Sequence, residues 1–143
     1  MTPDLNVLVA AFRKDHPHHS TARQCLAGEL AASRAGLPLR LLAPVVAGFL
    51  RLVTNPKVFA DPDSIDQAVA FIDTLLKAPG VEIAAVGEEW PLFRQLCIHG
   101  RLAGNAIPDA WLAAMVLRLG ERMVTFDKGM KKLLRHDRLT VLA

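Results

Sequence analysis

The chain has 143 residues, of which 52% are hydrophobic and 22% charged, and its formal net charge is +3 at pH 7. This composition excludes a disordered or fibrous chain and predicts one folded domain over residues 1–143. The apolar middle contains no uncharged run near the roughly 20 residues that a membrane-spanning helix needs. The first residues also lack an export signal, so we expect a cytoplasmic protein. The two cysteines, Cys25 and Cys97, match no zinc-ligand spacing.

The first half of the chain alternates helical and strand-like patterns. Apolar positions recur with helical spacing over residues 17–34, and LPLRLLAP (37–44) is typical of a short buried strand. Residues 45–55 predict a helix that Pro56 ends. A second amphipathic helix is predicted over residues 64–77, with a serine at its N-terminal cap.

The second half repeats this alternation. In chain order we predict a strand (81–86), two helices (88–101 and 107–120), a strand (122–126), a short helix (127–136) and a closing strand (139–143). Strands that alternate with helices indicate an α/β fold, in which helices cover both faces of a parallel sheet.

Three aspartates interrupt apolar segments at positions where α/β proteins place their ligands, beyond the carboxyl ends of strands. Asp127 directly follows a predicted strand, Asp109 lies in the first turn of a predicted helix, and Asp4 precedes an apolar run. Each aspartate, taken alone, is also compatible with helix capping or a terminal turn. Taken together, converging carboxylates require a cation among them, because otherwise they repel one another.

A hard divalent ion such as Mg²⁺ or Mn²⁺ is the natural partner of a carboxylate cluster. These ions take oxygen ligands, retain several waters, and are commonly completed by substrate phosphates. The three aspartates therefore indicate phosphodiester chemistry as the leading hypothesis.

Four ordered motifs resemble those of a known family. They are DLNVLVAAFRKDHPHH near the start, FLRLVTNPKVF in the middle, GNAIPDAWLAAM later and VTFD near the end. Together they look like a PIN-domain ribonuclease of the VapC toxin type. The resemblance implies a three-layer α/β/α sandwich with a central, mostly parallel sheet of four or five strands, and a metal-dependent endoribonuclease activity.

The resemblance also assigns roles to individual residues. It implies that Asp4, Asp109 and Asp127 are the catalytic residues that bind Mg²⁺ or Mn²⁺, so that an activated water cleaves RNA. The supporting residues that it implies are Asn6, Asn105 and Thr125.

Two positions depart from the family pattern. The family usually has a second acidic residue in the helix after the second strand, whereas Gly48 stands near that place here. Only three residues precede Asp4, and one is Pro3, which cannot donate to a β-ladder. We therefore expect a very short first strand, followed by a helix over LNVLVAAF, and a metal site with at most three protein carboxylates.

Basic residues concentrate near the end of the chain. Residues 118–138 contain seven lysines and arginines against three acids. We expect four of these residues to contact RNA phosphates largely without regard to sequence: Lys128, Lys131, Lys132 and Arg135. The resemblance further implies a small cognate antitoxin protein and a homodimer as partners.

Two other readings compete with the nuclease. A catalytically weak PIN domain could bind RNA or a protein without cutting, and Gly48 keeps that alternative open. A phosphotransfer receiver or phosphatase would need a second acid near Asp4, which the sequence lacks. The histidines at 16, 18 and 19 could bind a transition metal, but we expect a solvent-exposed loop and helix start there.

Overall fold

The computed structural model describes residues 1–143. The strands are β1 (Thr2–Pro3), β2 (Leu39–Leu41), β3 (Val81–Ile83), β4 (Met123–Thr125) and β5 (Leu139–Val141). The helices are α1 (Leu5–Phe12), α2 (His19–Arg34), α3 (Ala43–Val53), α4 (Ile65–Leu76), α5 (Trp90–His99) and α6 (Ala106–Leu119). A 3₁₀ helix, Lys128–Lys132, lies between β4 and β5.

All strand pairs are parallel. One ladder has the order β1-β4-β5, and a second pairs β2 with β3. The two ladders meet where the Arg40 amide donates to the Met1 carbonyl oxygen at 2.9 Å, so the strands follow the order β3-β2-β1-β4-β5. The α/β prediction with a mostly parallel sheet is confirmed.

Pro3 explains why the ladder between β1 and β2 is incomplete. The amides on either side of Pro3 donate to β4 and to the residue just before it, from Thr2 to the Arg122 carbonyl at 2.9 Å and from Asp4 to the Val124 carbonyl at 2.8 Å. Because successive amides of a strand point to opposite sides, the position without an N–H faces β2. The predicted very short first strand is present as Thr2–Pro3.

The central strands are buried on both faces, as helices covering both sides of a parallel sheet require. Every residue of β1 and β4 is buried, and so are Leu39 and Leu41 of β2. The core is one continuous cluster of 27 buried residues, whose largest fully buried side chain is Phe49 of α3.

Several boundaries differ from the predictions. The strand predicted over 37–44 is only Leu39–Leu41, because helix α3 already begins at Ala43 with a proline in its first turn. The segment predicted as a short helix over 127–136 is a 3₁₀ helix that ends at Lys132. The helix over LNVLVAAF is present as α1.

No helix in the structure combines the length and the apolar character that crossing a bilayer would demand.

Gly80, just before β3, should tolerate no side chain. Its φ is +77°, and a Cβ atom built there would lie 2.5 Å from the Ser33 carbonyl oxygen. Gly120, at the C-terminus of α6, has a similar φ of +67° but open space around it. We expect Gly120→Ala to cost about 1 kcal/mol of unfolding free energy, and Gly80→Ala at least about 2 kcal/mol more.

Urea unfolding of both variants measures this difference. Equal losses in the two variants would mean that the contact between Gly80 and Ser33 does not constrain the backbone.

Candidate active site

Asp4 connects β1 to α1. It lies directly after the strand, and its side chain caps the helix by accepting from the Leu5 amide at 2.7 Å. The Thr125 hydroxyl donates to its Oδ2 at 2.6 Å, and Asn6 Nδ2 donates to the same oxygen at 3.2 Å. The residue is only 8% exposed. These donors hold the carboxylate in one orientation at the carboxyl edge of the sheet.

Burial raises the pKa of Asp4, which is its largest perturbation. The hydrogen bonds from Thr125 and Leu5 lower the pKa, and the nearby charge of Asp127 raises it further. The site therefore favours proton uptake at Asp4 when no cation compensates its charge.

Thr125 and Asn6 join Asp4 to the end of β4. The Thr125 hydroxyl oxygen accepts from Asn6 Nδ2 and from the Asp127 amide, both at 3.0 Å. Asn6 Oδ1 accepts from the Phe126 amide at 3.0 Å. The structure thus brings these two predicted supporting residues into one hydrogen-bond network with Asp4.

Asp127 is exposed and caps the 3₁₀ helix, accepting from the Gly129 amide at 2.7 Å through Oδ1. Its Oδ2 has no hydrogen-bond partner within the protein. Asp109 lies in the first turn of α6, half-buried and without a side-chain hydrogen bond. Burial raises the pKa of Asp109, and the charges of Asp127 and then Asp4 add to the rise. The three carboxylates are therefore close enough to interact electrostatically.

The three aspartates line one cleft of about 320 Å³, together with Leu5, Asn6, Val9, His16 and Leu52. No lysine or arginine lines this cleft, so the carboxylates face it without a cationic side chain. A larger cleft of about 580 Å³ lies elsewhere, around Arg13. There the carboxylates of Asp15 and Asp63 pair with the Arg13 guanidinium at 2.8 and 2.9 Å.

The donor set of the smaller cleft fits a hard divalent cation. The structure contains no group of three or more His, Cys, Asp or Glu side chains placed to enclose a metal ion by themselves. Mg²⁺ seldom requires such a cage, because it retains several waters and uses one or two carboxylates directly. Carboxylates without a cationic neighbour, one of them with an unpartnered oxygen, match that mode of binding.

Gly48 faces this region from α3. A Cβ atom built there would meet only the Leu5 side chain, at 3.4 Å, in ordinary contact. The position thus has room for a Cβ atom, and the lack of an acid there leaves three aspartates as the acidic residues lining the cleft.

The other predicted site residues lie outside the cleft. Asn105 is the exposed N-cap residue of α6 and makes no side-chain cap hydrogen bond. Lys128, Lys131 and Lys132 are exposed on the 3₁₀ helix that follows Asp127. Arg135 is also exposed, with its Nε 3.9 Å from the Asp137 carboxylate. Their roles stay predictions.

Sequence reasoning considered His16 only as a possible transition-metal ligand and did not place it with the aspartates, whereas it is half-buried and lines the carboxylate cleft. The expected helix start is present at His19, but the expected solvent exposure is found only at His18, since His16 and His19 are half-buried. The neighbouring His18 is exposed, but its ring stacks on Phe126 with a centroid distance of 4.7 Å. The sequence shows that Phe126 precedes Asp127. It does not show that His18 stacks on Phe126 and so places the histidine turn beside the cleft.

Comparison with known proteins identifies the family. The family model of the PIN domain matches residues 1–135. Ribonuclease VapC43 of Mycobacterium tuberculosis is 38% identical over 133 residues, which cover 92% of this chain and 88% of that protein. Ribonuclease VapC31 of the same species is 36% identical over 138 residues, covering 94% and 95% of the two chains.

Solved structures share the fold. Mycobacterium tuberculosis VapC20, described as a sarcin-ricin loop cleaving toxin, aligns with a TM-score of 0.63 at 17% identity, over 91% of this chain and 92% of its own. VapBC2 of Rickettsia felis, solved bound to a DNA fragment from its promoter, aligns with a TM-score of 0.61 at 17% identity, over 99% and 96%. The chain therefore belongs to the PIN-domain family, among the VapC ribonucleases.

Proposed function

We propose that this protein is a divalent-metal-dependent endoribonuclease that acts as the toxin of a toxin-antitoxin pair. The observation that carries the proposal is the convergence of Asp4, Asp109 and Asp127 on one cleft that no cationic side chain lines, in a chain related to VapC ribonucleases. RNA is the proposed substrate, and Mg²⁺ or Mn²⁺ is the proposed cofactor.

The three aspartates are the residues that would hold the ion. When bound, it would supply charge neutralisation at the phosphate and a more acidic water. Asp4 contributes a carboxylate whose orientation is set by Thr125 and Asn6. Asp127 contributes an oxygen that the protein leaves free.

Asp109 is suited to accept a proton from the attacking water. Its carboxylate accepts no hydrogen bond within the protein, so an oxygen that does not bind the ion is free to take the proton. In the hydrolysis, the water oxygen bonds to phosphorus, the bond from phosphorus to the leaving oxygen breaks, and the leaving oxygen takes up a proton.

The exposed basic residues after Asp127 would bind the RNA backbone. They are Lys128, Lys131, Lys132 and Arg135. Lys128 directly follows Asp127 in the chain, all four side chains are exposed, and none of them forms an ion pair shorter than 3.9 Å. Contacts of this kind bind phosphates irrespective of base sequence. These contacts would hold the RNA strand beside the carboxylates but would not select its base sequence. Supporting contacts from Asn105, near the start of α6, belong to the same proposal.

The remaining proposals concern assembly and location. A small antitoxin is the proposed protein partner, in line with the VapBC2 complex. A homodimer is proposed because Trp90 and Trp111 leave apolar surface exposed on α5 and α6, at 64% and 39% exposure. One domain over residues 1–143 and a cytoplasmic location are proposed as well, the latter supported by two free cysteines.

Removing one carboxylate should abolish cutting without unfolding the protein. We expect Asp4→Asn and Asp109→Asn each to lower Mg²⁺-dependent cleavage of structured RNAs by at least about a hundredfold, since each weakens the hold on the ion. Asp73→Asn, an exposed position on α4, is the matched control and should cleave normally. Undiminished cutting by Asp4→Asn would refute the proposed site.

Mg²⁺ should stabilise the native protein against heat. Because folding raises the pKa values of Asp4 and Asp109, the metal-free protein loses stability as pH rises through those values. Asp109→Asn removes one of the two charges and so should recover part of the lost unfolding free energy. In EDTA at pH 7 the variant should therefore melt above the native protein. Mg²⁺ at about ten times its Kd should raise the native Tm by about 4 °C.

Calorimetry of both proteins with and without Mg²⁺ checks this. A rise of equal size in Asp109→Asn would show that the stabilising ion binds elsewhere.

The basic residues should contribute to the salt dependence of RNA binding. We expect Lys128→Ala combined with Lys131→Ala to reduce the slope of log K against log salt by about 1.4 for single-stranded RNA, in proportion to two lost phosphate contacts. Lys77→Ala, at the exposed C-cap position of α4, serves as the control. Fluorescence anisotropy across a salt series gives the slopes, and an unchanged slope contradicts the assignment.

A further inference from the structure

The carboxylate cleft contains few groups that could donate a hydrogen bond to a bound phosphate. Among its eight lining residues, only Asn6 and His16 have donor side chains. Asn6 Nδ2 already donates to Asp4 and to Thr125. His16 is therefore the lining side chain with a donor still available.

The backbone determines which nitrogen of His16 carries the proton. The His18 amide donates to His16 Nδ1 at 3.1 Å, so Nδ1 uses its lone pair as an acceptor. A neutral imidazole with an acceptor at Nδ1 carries its hydrogen on Nε2. Burial lowers the pKa of His16, and the neighbouring His18 lowers it further, which favours the neutral ring over the imidazolium.

The turn that carries His16 is held in place from two sides. Arg13, only 9% exposed, donates to Asp15, to Asp63 and to the Asp61 carbonyl, and its guanidinium lies 4.0 Å from the centroid of Phe59. At the other side the His18 ring stacks on Phe126, next to Asp127. The imidazole of His16 is thus presented to the cleft by a fixed backbone and needs little ordering on binding.

We propose that His16 is a substrate-binding residue, whose Nε2–H donates a hydrogen bond to a non-bridging phosphate oxygen of the RNA strand held in the carboxylate cleft. This inference rests on the proposed nuclease function and names the group through which the site grips its substrate. This hydrogen bond would act on the phosphate in addition to the cation. It places a donor in a lining that otherwise consists of carboxylates, apolar side chains and the Asn6 amide, whose nitrogen already donates within the protein.

Two substitutions separate the two nitrogens of the ring. His16→Asn keeps an acceptor near Nδ1 for the His18 amide but has no donor at the Nε2 position, whereas His16→Gln reaches that position with an amide N–H. We expect His16→Asn to lower kcat/KM by about thirtyfold and His16→Gln by less than about fivefold. His136→Asn, at an exposed position, is the control and should stay within about twofold.

A phosphorothioate at the scissile phosphate tests the contact directly. Sulfur accepts hydrogen bonds poorly, so one diastereomer should slow the native enzyme by about tenfold and slow His16→Asn no further. If His16→Asn slows both substrates by the same factor, its role is structural and the proposal fails. The proposal also fails if His16→Asn removes the Mg²⁺-induced rise in Tm, since His16 would then hold the ion.

Failure of the nuclease function would be recognised separately. If the native protein cuts none of the RNAs, binding of a labelled RNA oligonucleotide in EDTA still tests the contact. We then expect a Kd about tenfold higher for His16→Asn, with His16→Gln near native. Equal affinity of all three proteins overturns the inference.

Discussion

The hydrogen bond from the Thr125 hydroxyl to Asp4 Oδ2 joins the ends of two neighbouring parallel strands and determines the geometry of the site. It forms because Pro3 pairs with Val124, which places the next residues of the two chain segments, Asp4 and Thr125, opposite each other. A slip of one residue would turn Thr125 to the other face of the sheet and leave Asp4 buried without its main donor. The register of β1 against β4 therefore also determines whether the buried carboxylate of Asp4 receives its hydrogen bond.

Much of the site was predictable because its residues follow regular elements. Asp4 comes directly after β1, Asp127 lies two residues after β4, and Asp109 lies in the first turn of a helix, so a parallel sheet brings them toward one edge. His16 could not be found in this way, since its approach depends on Arg13 and Phe126 holding a turn that has no periodic pattern. Side chains presented by irregular backbone are placed by tertiary contacts, which one sequence does not reveal.

The same distinction explains the errors in the elements. The alternation of helices and strands was correct because it follows from burial, whereas the ends of β2 and of the 3₁₀ helix were not. Leu39, Leu41 and Leu42 are apolar, and so are Ala43, Pro44 and Val45 at the start of α3, so hydrophobicity alone does not mark the boundary between strand and helix. The 3₁₀ helix has no apolar stripe that would distinguish it from an α-helix, because positions 129, 131 and 132 are a glycine and two lysines.

Three local irregularities meet at the carboxyl edge of the sheet: a proline in the central strand, a glycine inside a helix and a buried carboxylate. Pro3 cannot donate a hydrogen bond toward β2, Gly48 costs helix stability, and Asp4 costs desolvation energy. Each of them touches or adjoins Asp4 or Leu5 at the start of α1. Chains tolerate such costs together where function requires them, since folding alone would favour consistent local choices. The clustering is thus an argument, independent of any relative, that this edge is where the protein works.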